Sequence, residues 1–381
     1  MPSFHEFFAG GGMARAGLGA SWDCLFANDI DIKKVASYAA NWGDGHLKIG
    51  DVGALKVGDV PGPADLAWAS FPCQDLSLAG DYVGLKGERS GTFWPFWRLM
   101  KALGREKGAP RVIVLENVCG ALTSHQGKDF AAIGSALAGT GYRFGALVID
   151  AVRFVPQSRP RLFIVGVQDD RDLPAGLTIE APNPLWHPAN LIGAHEGLSQ
   201  RSKCAWVWWN LPVPPSRSSK FADLIEDDPK GVSWNTAAET KRLLSLMSPL
   251  NRRKVEAAKN ARQRMVGGIY KRTRRDESGK RAQRAEIRFD DIAGCLRTPV
   301  GGSSRQSIMI VESDTVRSRL LSPREAARLM GLPDSYTLPT NYNEAYHLAG
   351  DGVVVPVVRF LAAHVLEPLL LGGTEREKEA A

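Results

Sequence analysis

Four short segments carry side chains whose type and spacing suit chemistry. In Ser70-Phe71-Pro72-Cys73-Gln74-Asp75-Leu76-Ser77 a cysteine follows a proline that stiffens the loop. A thiol attacks only as thiolate, so Cys73 is either a nucleophile with a positive or dipolar neighbour or a small buried hydrophobe. Val114-Leu115-Glu116-Asn117-Val118 brings a carboxyl group out of an apolar run, as a misfit or as a tuned acid. Gln157-Ser158-Arg159-Pro160-Arg161 sets two arginines at alternate positions, which in a strand point the same way. Such a pair clamps an anion or a base oxygen, or forms a solvated edge. The turn Phe8-Ala9-Gly10-Gly11-Gly12-Met13 lets backbone approach a nucleotide-like ligand closely, or is simply a tight βα turn. Asp29, about 20 residues further on, suits a ribose hydroxyl pair. Asp51, in Gly50-Asp51-Val52, suits an adenine amino group or a plain turn.

These segments need strands that end where they begin. Apolar runs Phe4–Ala9, Asp65–Ala69, Val112–Leu115, Ala146–Ile149 and Leu162–Val167, with one ending at Asn28-Asp29, alternate with helical stretches. That rhythm predicts an α/β domain around a mostly parallel sheet, with ligands bound at the carboxyl ends of its strands. It breaks near residue 172, where proline, tryptophan (Trp206, Trp208, Trp209) and basic residues accumulate, so a second domain is expected there. The tryptophans are read as its core. Residues 251–290 hold fourteen Lys and Arg against five acidic residues, a larger excess than the whole chain's +7. Ser322-Pro323-Arg324-Glu325 opens a helix with a capping box, and Gly331 closes it. Val353 to Leu371 is expected to form a strand, turn and helix packed on the first domain, and Glu375 to Ala381 a solvated tail.

The 381 residues, 44% hydrophobic and 23% charged, describe a folded globular chain and exclude disorder and collagen-like repetition. No apolar run approaches a membrane span and no signal peptide is legible, which predicts a cytoplasmic protein. Five dispersed cysteines without a CxxC pair argue against disulfides and against a metal site.

In order, Phe-Ala-Gly-x-Gly, Pro-Cys-Gln, Glu-Asn-Val, Gln-x-Arg-x-Arg, Arg-Glu-x-x-Arg-Leu-x-Gly-x-Pro and Gly-Asp-x-Val-x-x-Pro make the sequence resemble the bacterial and phage DNA cytosine-5 methyltransferases over residues 4–167 and 293–369. The resemblance implies a Rossmann-like S-adenosylmethionine-dependent methyltransferase domain (1–171), a smaller, mixed target-recognition domain (172–340) and a C-terminal segment (341–381) returning to the first. It implies methyl transfer from S-adenosyl-L-methionine to carbon 5 of a cytosine flipped out of a specific double-stranded DNA sequence. Cys73 would add to carbon 6. Glu116 would place a proton on N3, which requires a raised pKa or a proton shared with the base. Asn117 would orient the loop, and Arg161, with Arg159 less directly, would contact the cytosine carbonyl oxygen.

By the same resemblance Phe8, Gly10, Gly12, Met13, Asp29, Ile30, Asp51, Val52, Pro72, Phe93, Asp351 and Val353 would line the cofactor site. The turn Ser90-Gly91-Thr92-Phe93 matches the motif after the catalytic loop. Gln74 and Ser77 would grip the flipped nucleotide, and Arg297, Thr298, Ser303, Ser304 and Arg305 would contact DNA. Met13 stands where a second glycine is frequent, and Asp351 where Asn is usual; cofactor affinity is the property these touch. No obligate protein partner is implied, and the enzyme would act as a monomer, beside a restriction endonuclease or alone. Two alternatives stay open at this point: the same chemistry on tRNA, and a non-catalytic DNA-binding protein on the same scaffold.

Overall fold

The structure, a computed structural model, describes residues 1–72, 93–275, 281–297 and 305–371. Cys73, Gln74, Ser77, Ser90-Gly91-Thr92, Thr298, Ser303, Ser304 and the tail from 372 lie outside the described residues. The chain forms two units: residues 1–150, 160–214 and 353–381, and residues 151–159 and 215–352.

The first unit is built on a seven-stranded sheet of β1 (Ser3–Phe7), β2 (Asp23–Asp29), β3 (Leu47–Ile49), β4 (Leu66–Ala69), β5 (Val112–Val118), β6 (Tyr142–Asp150) and β7 (Pro160–Gln168). The order is β3-β2-β1-β4-β5-β7-β6, parallel except where β7 runs against β5 and β6. Helices α1 (Met13–Leu18), α2 (Ile32–Trp42), α3 (Phe93–Glu106) and α4 (Lys128–Gly139) connect the strands. In α3 the buried side chains Phe93, Phe96, Trp97, Met100 and Leu103 recur at helical spacing, so one stripe faces the core. Asp31 caps α2 by accepting the amides of Lys33 and Lys34.

Residues 172–214, expected in the second domain, belong to the first unit. They contain β8 (Thr178–Ile179), α5 (Ala189–Glu196), α6 (Gln200–Cys204) and β9 (Trp208–Trp209). The reason is packing on distant parts of the first unit: Trp206 packs edge-on against Phe144 of β6 and Phe130 of α4, and Trp209 is fully buried with its indole N–H on the Val165 carbonyl. The tryptophans are core residues, as expected, but of the sheet unit.

The second unit holds α7 (Ala237–Ser245), α8 (Pro249–Asn260) and a four-stranded antiparallel sheet of β10 (Met265–Arg275), β11 (Arg281–Arg288), β12 (Ser307–Glu312) and β13 (Thr315–Leu320), in the order β11-β10-β12-β13. It also holds α9 (Pro323–Leu329) and α10 (Tyr342–Asp351). Its core joins Leu243, Met247 and Val255 to Ile269, Ile287 and Met309.

From Val355 to Leu371 the chain is helical: α11 (Val355–Leu361), a π turn over Ala362–Leu366, and α12 (Glu367–Leu371). The strand expected there does not form, because Pro356 sits in the first turn of α11, where its fixed φ and missing N–H suit a helix. By length and composition the helical stretch Tyr342–Leu371 is apolar enough to cross a membrane, contrary to the expectation above. Its Val358, Leu361, Val365 and Leu366 are instead fully buried core residues. α11 packs on α1 at Gly17, where a Cβ would overlap Val358 and lie 2.7 Å from the Val355 carbonyl.

Candidate active site

The ends of β1, β2, β4 and β5 all belong to the first unit, and each delivers part of a site. After β1, Phe8, Gly10 and Gly12 take positive φ values of 58°, 55° and 75°. A bulky residue at positive φ is strained and needs surroundings that enforce it. Two features do so. The Asp29 carboxylate accepts the Gly10 N–H at 2.8 Å and the Asp31 N–H at 2.8 Å. Trp42 donates its indole N–H to the Gly11 carbonyl at 3.1 Å, and a Cβ on Gly12 would overlap Trp42 and lie 2.9 Å from Tyr38. The turn therefore lies flat on α2, which only glycine permits. Met13 follows it as the first residue of α1 and is buried.

At the neighbouring edge, Ile30 stands 65% exposed immediately after the nearly buried Asp29, beside Ile49 at the end of β3, also exposed. An apolar surface next to a carboxylate can cover the face of a flat ring while the acid takes hydroxyl groups. Asp51 is exposed and caps the short turn Val52–Ala54 through the Gly53 N–H at 2.8 Å; Val52 is buried. Phe93, fully buried, stacks on Trp97 and touches Phe71. Pro72 is half-buried at the end of the segment leading to Cys73.

Glu116 lies within β5, near its end, and only 7% of it is exposed. Because Arg161 pairs with Val118 across the antiparallel ladder while Glu116 pairs with Phe163, the two charged side chains are diagonal neighbours on one face. Arg161 Nε stands 3.4 Å from Glu116 Oε1. The guanidinium is the countercharge that makes a buried carboxylate tolerable. Asn117 points to the other face and donates to the Phe71 carbonyl at 3.4 Å, tying β5 to the residue two before Cys73.

The two arginines of the Gln-x-Arg-x-Arg segment have different partners. The division between units falls between Arg159 and Pro160. Arg159, 2% exposed, donates to the carbonyls of Leu296 at 3.0 Å, Gly350 at 2.7 Å and Gly352 at 2.8 Å. Gln157, fully buried, bridges the Leu329 carbonyl and the Leu296 N–H. Both hold the second unit together, whereas Arg161 stands beside Glu116 in the first. In that unit Asp351 is exposed at the end of α10, Arg297 is exposed, and Arg305 stacks over Tyr342 with its centre 5.6 Å from the ring. Val353 is buried in the first unit.

The Arg-Glu-x-x-Arg-Leu motif is architectural. Glu325, fully buried, closes the capping box of α9 and takes two hydrogen bonds from the fully buried Arg319, at 2.8 and 2.6 Å. Arg328 pairs with Asp334 at 2.7 Å.

One group escapes the sequence reading. Glu6 in β1 is buried, and desolvation raises its pKa to about 8 despite the nearby Arg15, whose backbone N–H it accepts at 3.4 Å. Around Arg15 gather Tyr38, hydrogen-bonded at 3.0 Å, and His46, with Cys24 against the Tyr38 hydroxyl. Burial pushes the Cys24 thiol up to about 11, so it is inert. The available signal was an acid inside the apolar run Phe4-His5-Glu6-Phe7.

The family model for C-5 cytosine-specific DNA methylases matches residues 3–367. The chain is 29% identical over 380 residues to the Type II methyltransferase M.DsaV of Dactylococcopsis salina, covering 99% of this chain and 88% of that protein. It is 26% identical over 388 residues to M.HpaII of Haemophilus parainfluenzae, covering 96% and 90%. Among solved structures it shares its fold with the Dnmt2 methyltransferase of S. pombe (TM-score 0.60, 17% identity, 97% and 99% covered) and with the Entamoeba histolytica methyltransferase EhMeth (TM-score 0.61, 13% identity, 97% and 99% covered). This match along nearly the whole sequence makes the chain a member of the C-5 cytosine-specific DNA methylase family, a DNA cytosine-5 methyltransferase.

Proposed function

We propose that the enzyme methylates cytosine within a specific duplex DNA sequence through a covalent adduct on Cys73, with Glu116 and Arg161 acting on the base. The observation that carries this reading is the Glu116–Arg161 pair, with Glu116 on the strand that Asn117 ties to the Phe71 carbonyl, two residues before Cys73. Family members use S-adenosylmethionine, and the first unit suits it. Asp29 keeps lone pairs for a ribose diol beyond the two amides it accepts, Ile30 offers an apolar face to adenine, and Asp51 faces solvent. Phe8, Gly10, Gly12, Met13, Val52, Pro72, Phe93 and Val353 would complete the site, with Asp351 nearby in sequence. The bound cofactor supplies an electrophilic methyl group on a sulfonium.

The residues do the rest. Cytosine carbon 5 is a poor nucleophile until the Cys73 thiolate bonds to carbon 6 and electron density moves into the ring. Glu116 holds a proton at N3 as charge develops there, and Arg161 keeps its carboxyl aimed while donating toward the carbonyl oxygen. Loss of the carbon-5 proton then breaks the Cys73–carbon-6 bond. The base must leave the stack, since a duplex hides both faces of that ring edge; Gln74, Ser77, Thr298, Ser303 and Ser304, with Arg297 and Arg305, are assigned to holding the opened strand. As in its Type II relatives, the role would be to mark one short sequence.

Bisulfite sequencing of DNA from a methylation-free host expressing the chain reads the target. A duplex with 5-fluorocytosine at that position should then trap the protein, since fluorine cannot leave as a cation. Trapping that survives Cys73→Ser, or methyl transfer to tRNA in preference to duplex DNA, would overturn the reading.

A further inference from the structure

The second unit carries a two-stranded ribbon that extends past the rest of its sheet. β10 pairs with β12 only from Met265 to Ile269, whereas its pairing with β11 continues to Arg275. Residues 270–275 therefore run beside β11 alone, roughly 20 Å of ribbon at about 3.3 Å per residue. β11 is the outer strand of the sheet. One face of the hairpin, through Ile269, Ala285 and Ile287, enters the core. The opposite face pairs Tyr270 with Glu286 and, one step further out, Arg272 directly with Arg284, both exposed.

Two like charges directly opposite on a ladder destabilise it. Glu286 stands 3.6 Å from Arg272 at a half-exposed position, where a pair contributes little. Among the described residues no hydrogen bond or ion pair holds Arg284. Folding alone gives no reason for this arrangement, whereas an anionic partner does. A β-ribbon fits the roughly 12 Å width of the DNA major groove, and an arginine fork matches the O6 and N7 of guanine.

We infer that the β10–β11 ribbon enters the major groove and that Arg272 and Arg284 read guanines of the recognition sequence. The inference rests on DNA being the substrate and adds which residues set the sequence. Arg272→Lys and Arg284→Lys keep the charge and lose the fork. A random duplex library is methylated by wild type and variants and read by bisulfite sequencing, and the library each protein retains is sequenced as well, so that the motif is read without catalysis.

Each variant should lose about ten- to a hundredfold discrimination at one guanine position, with the salt dependence of binding kept. A motif unchanged in both variants, whether or not binding weakens uniformly, overturns the inference. A second measurement needs no variant: placing 7-deazaguanine at each guanine of the wild-type motif should weaken binding about tenfold at one or two positions, and indifference at all of them also overturns it. If the wild type methylates nothing in the library, the catalytic reading fails; the retained-library motif still decides the ribbon.

Discussion

The Asp29 carboxylate, at the end of β2, accepts the backbone N–H of Gly10 at 2.8 Å in the turn that follows β1. One side chain thus fixes the shape of the neighbouring strand's turn, and it is a residue of the proposed cofactor site. Asp29→Ala should lower affinity for S-adenosylhomocysteine more than tenfold, since a hydrogen bond to a charged group contributes roughly 1.5–3 kcal/mol before any ligand contact is counted. Titration calorimetry checks this, and unchanged affinity would remove Asp29 from the site.

Glu116→Gln keeps the shape of the side chain but not its charge. Its kcat should fall roughly 10²- to 10⁴-fold, the usual range for a general acid or base, with DNA binding kept. Arg161→Ala leaves Glu116 buried without its countercharge, so activity should fall together with about 3 kcal/mol of stability. Single-turnover methylation and urea denaturation separate the two effects; an Arg161→Ala protein of wild-type stability would contradict the pairing.

Glu6 gives a pH dependence of definite sign. Below about 4.5 its carboxyl is neutral whether the chain is folded or not; between about 4.5 and about 8 the unfolded chain releases the proton and the folded one retains it. This group therefore costs stability increasingly as pH rises through that window. Glu6→Gln should stabilise the protein more at pH 8 than at pH 5. Equal differences in denaturation midpoint at the two pH values would refute it.

Arg319 and Glu325 form a fully buried pair. Arg319→Ala should cost about 3–5 kcal/mol, because Glu325 would then be charged and buried alone. Arg319→Met combined with Glu325→Leu should recover much of that loss, although Glu325→Leu also removes the capping box of α9. Thermal melts of the single and double variants test the coupling.

The parts of this architecture legible in the sequence are those written locally. The glycine turn, Asp29 at a strand end, Glu116 on an apolar strand and the Ser322–Glu325 capping box need only neighbours within a few residues, and each lies in the expected element. What was hidden depends on distant partners. The expected break at residue 172 failed because Trp206 and Trp209 find their contacts on β6 and β7. Arg159 and Arg161, two residues apart, serve different units because the carbonyls that bind Arg159 belong to residues 296, 350 and 352. The opposition of Arg272 and Arg284 is invisible until the hairpin register is known. Cys73, best marked by its motif, lies outside the described residues.

The contact of α1 with α11 at Gly17 has a consequence for synthesis. Trp22 donates to Glu367, and Arg359 to the Leu18 carbonyl, so the first helix and its following turn are sealed by residues 345 and 341 positions further along the chain. A nascent chain emerging residue by residue holds the exposed flank of α1 open until the segment up to Leu371 has left the ribosome, while the intervening unit of residues 215–352 is already complete. The residues of the ribbon module are therefore all synthesised before those that close α1, and a chain stopped near residue 352 would lack the contacts that Val358, Arg359 and Glu367 make with Gly17, Leu18 and Trp22.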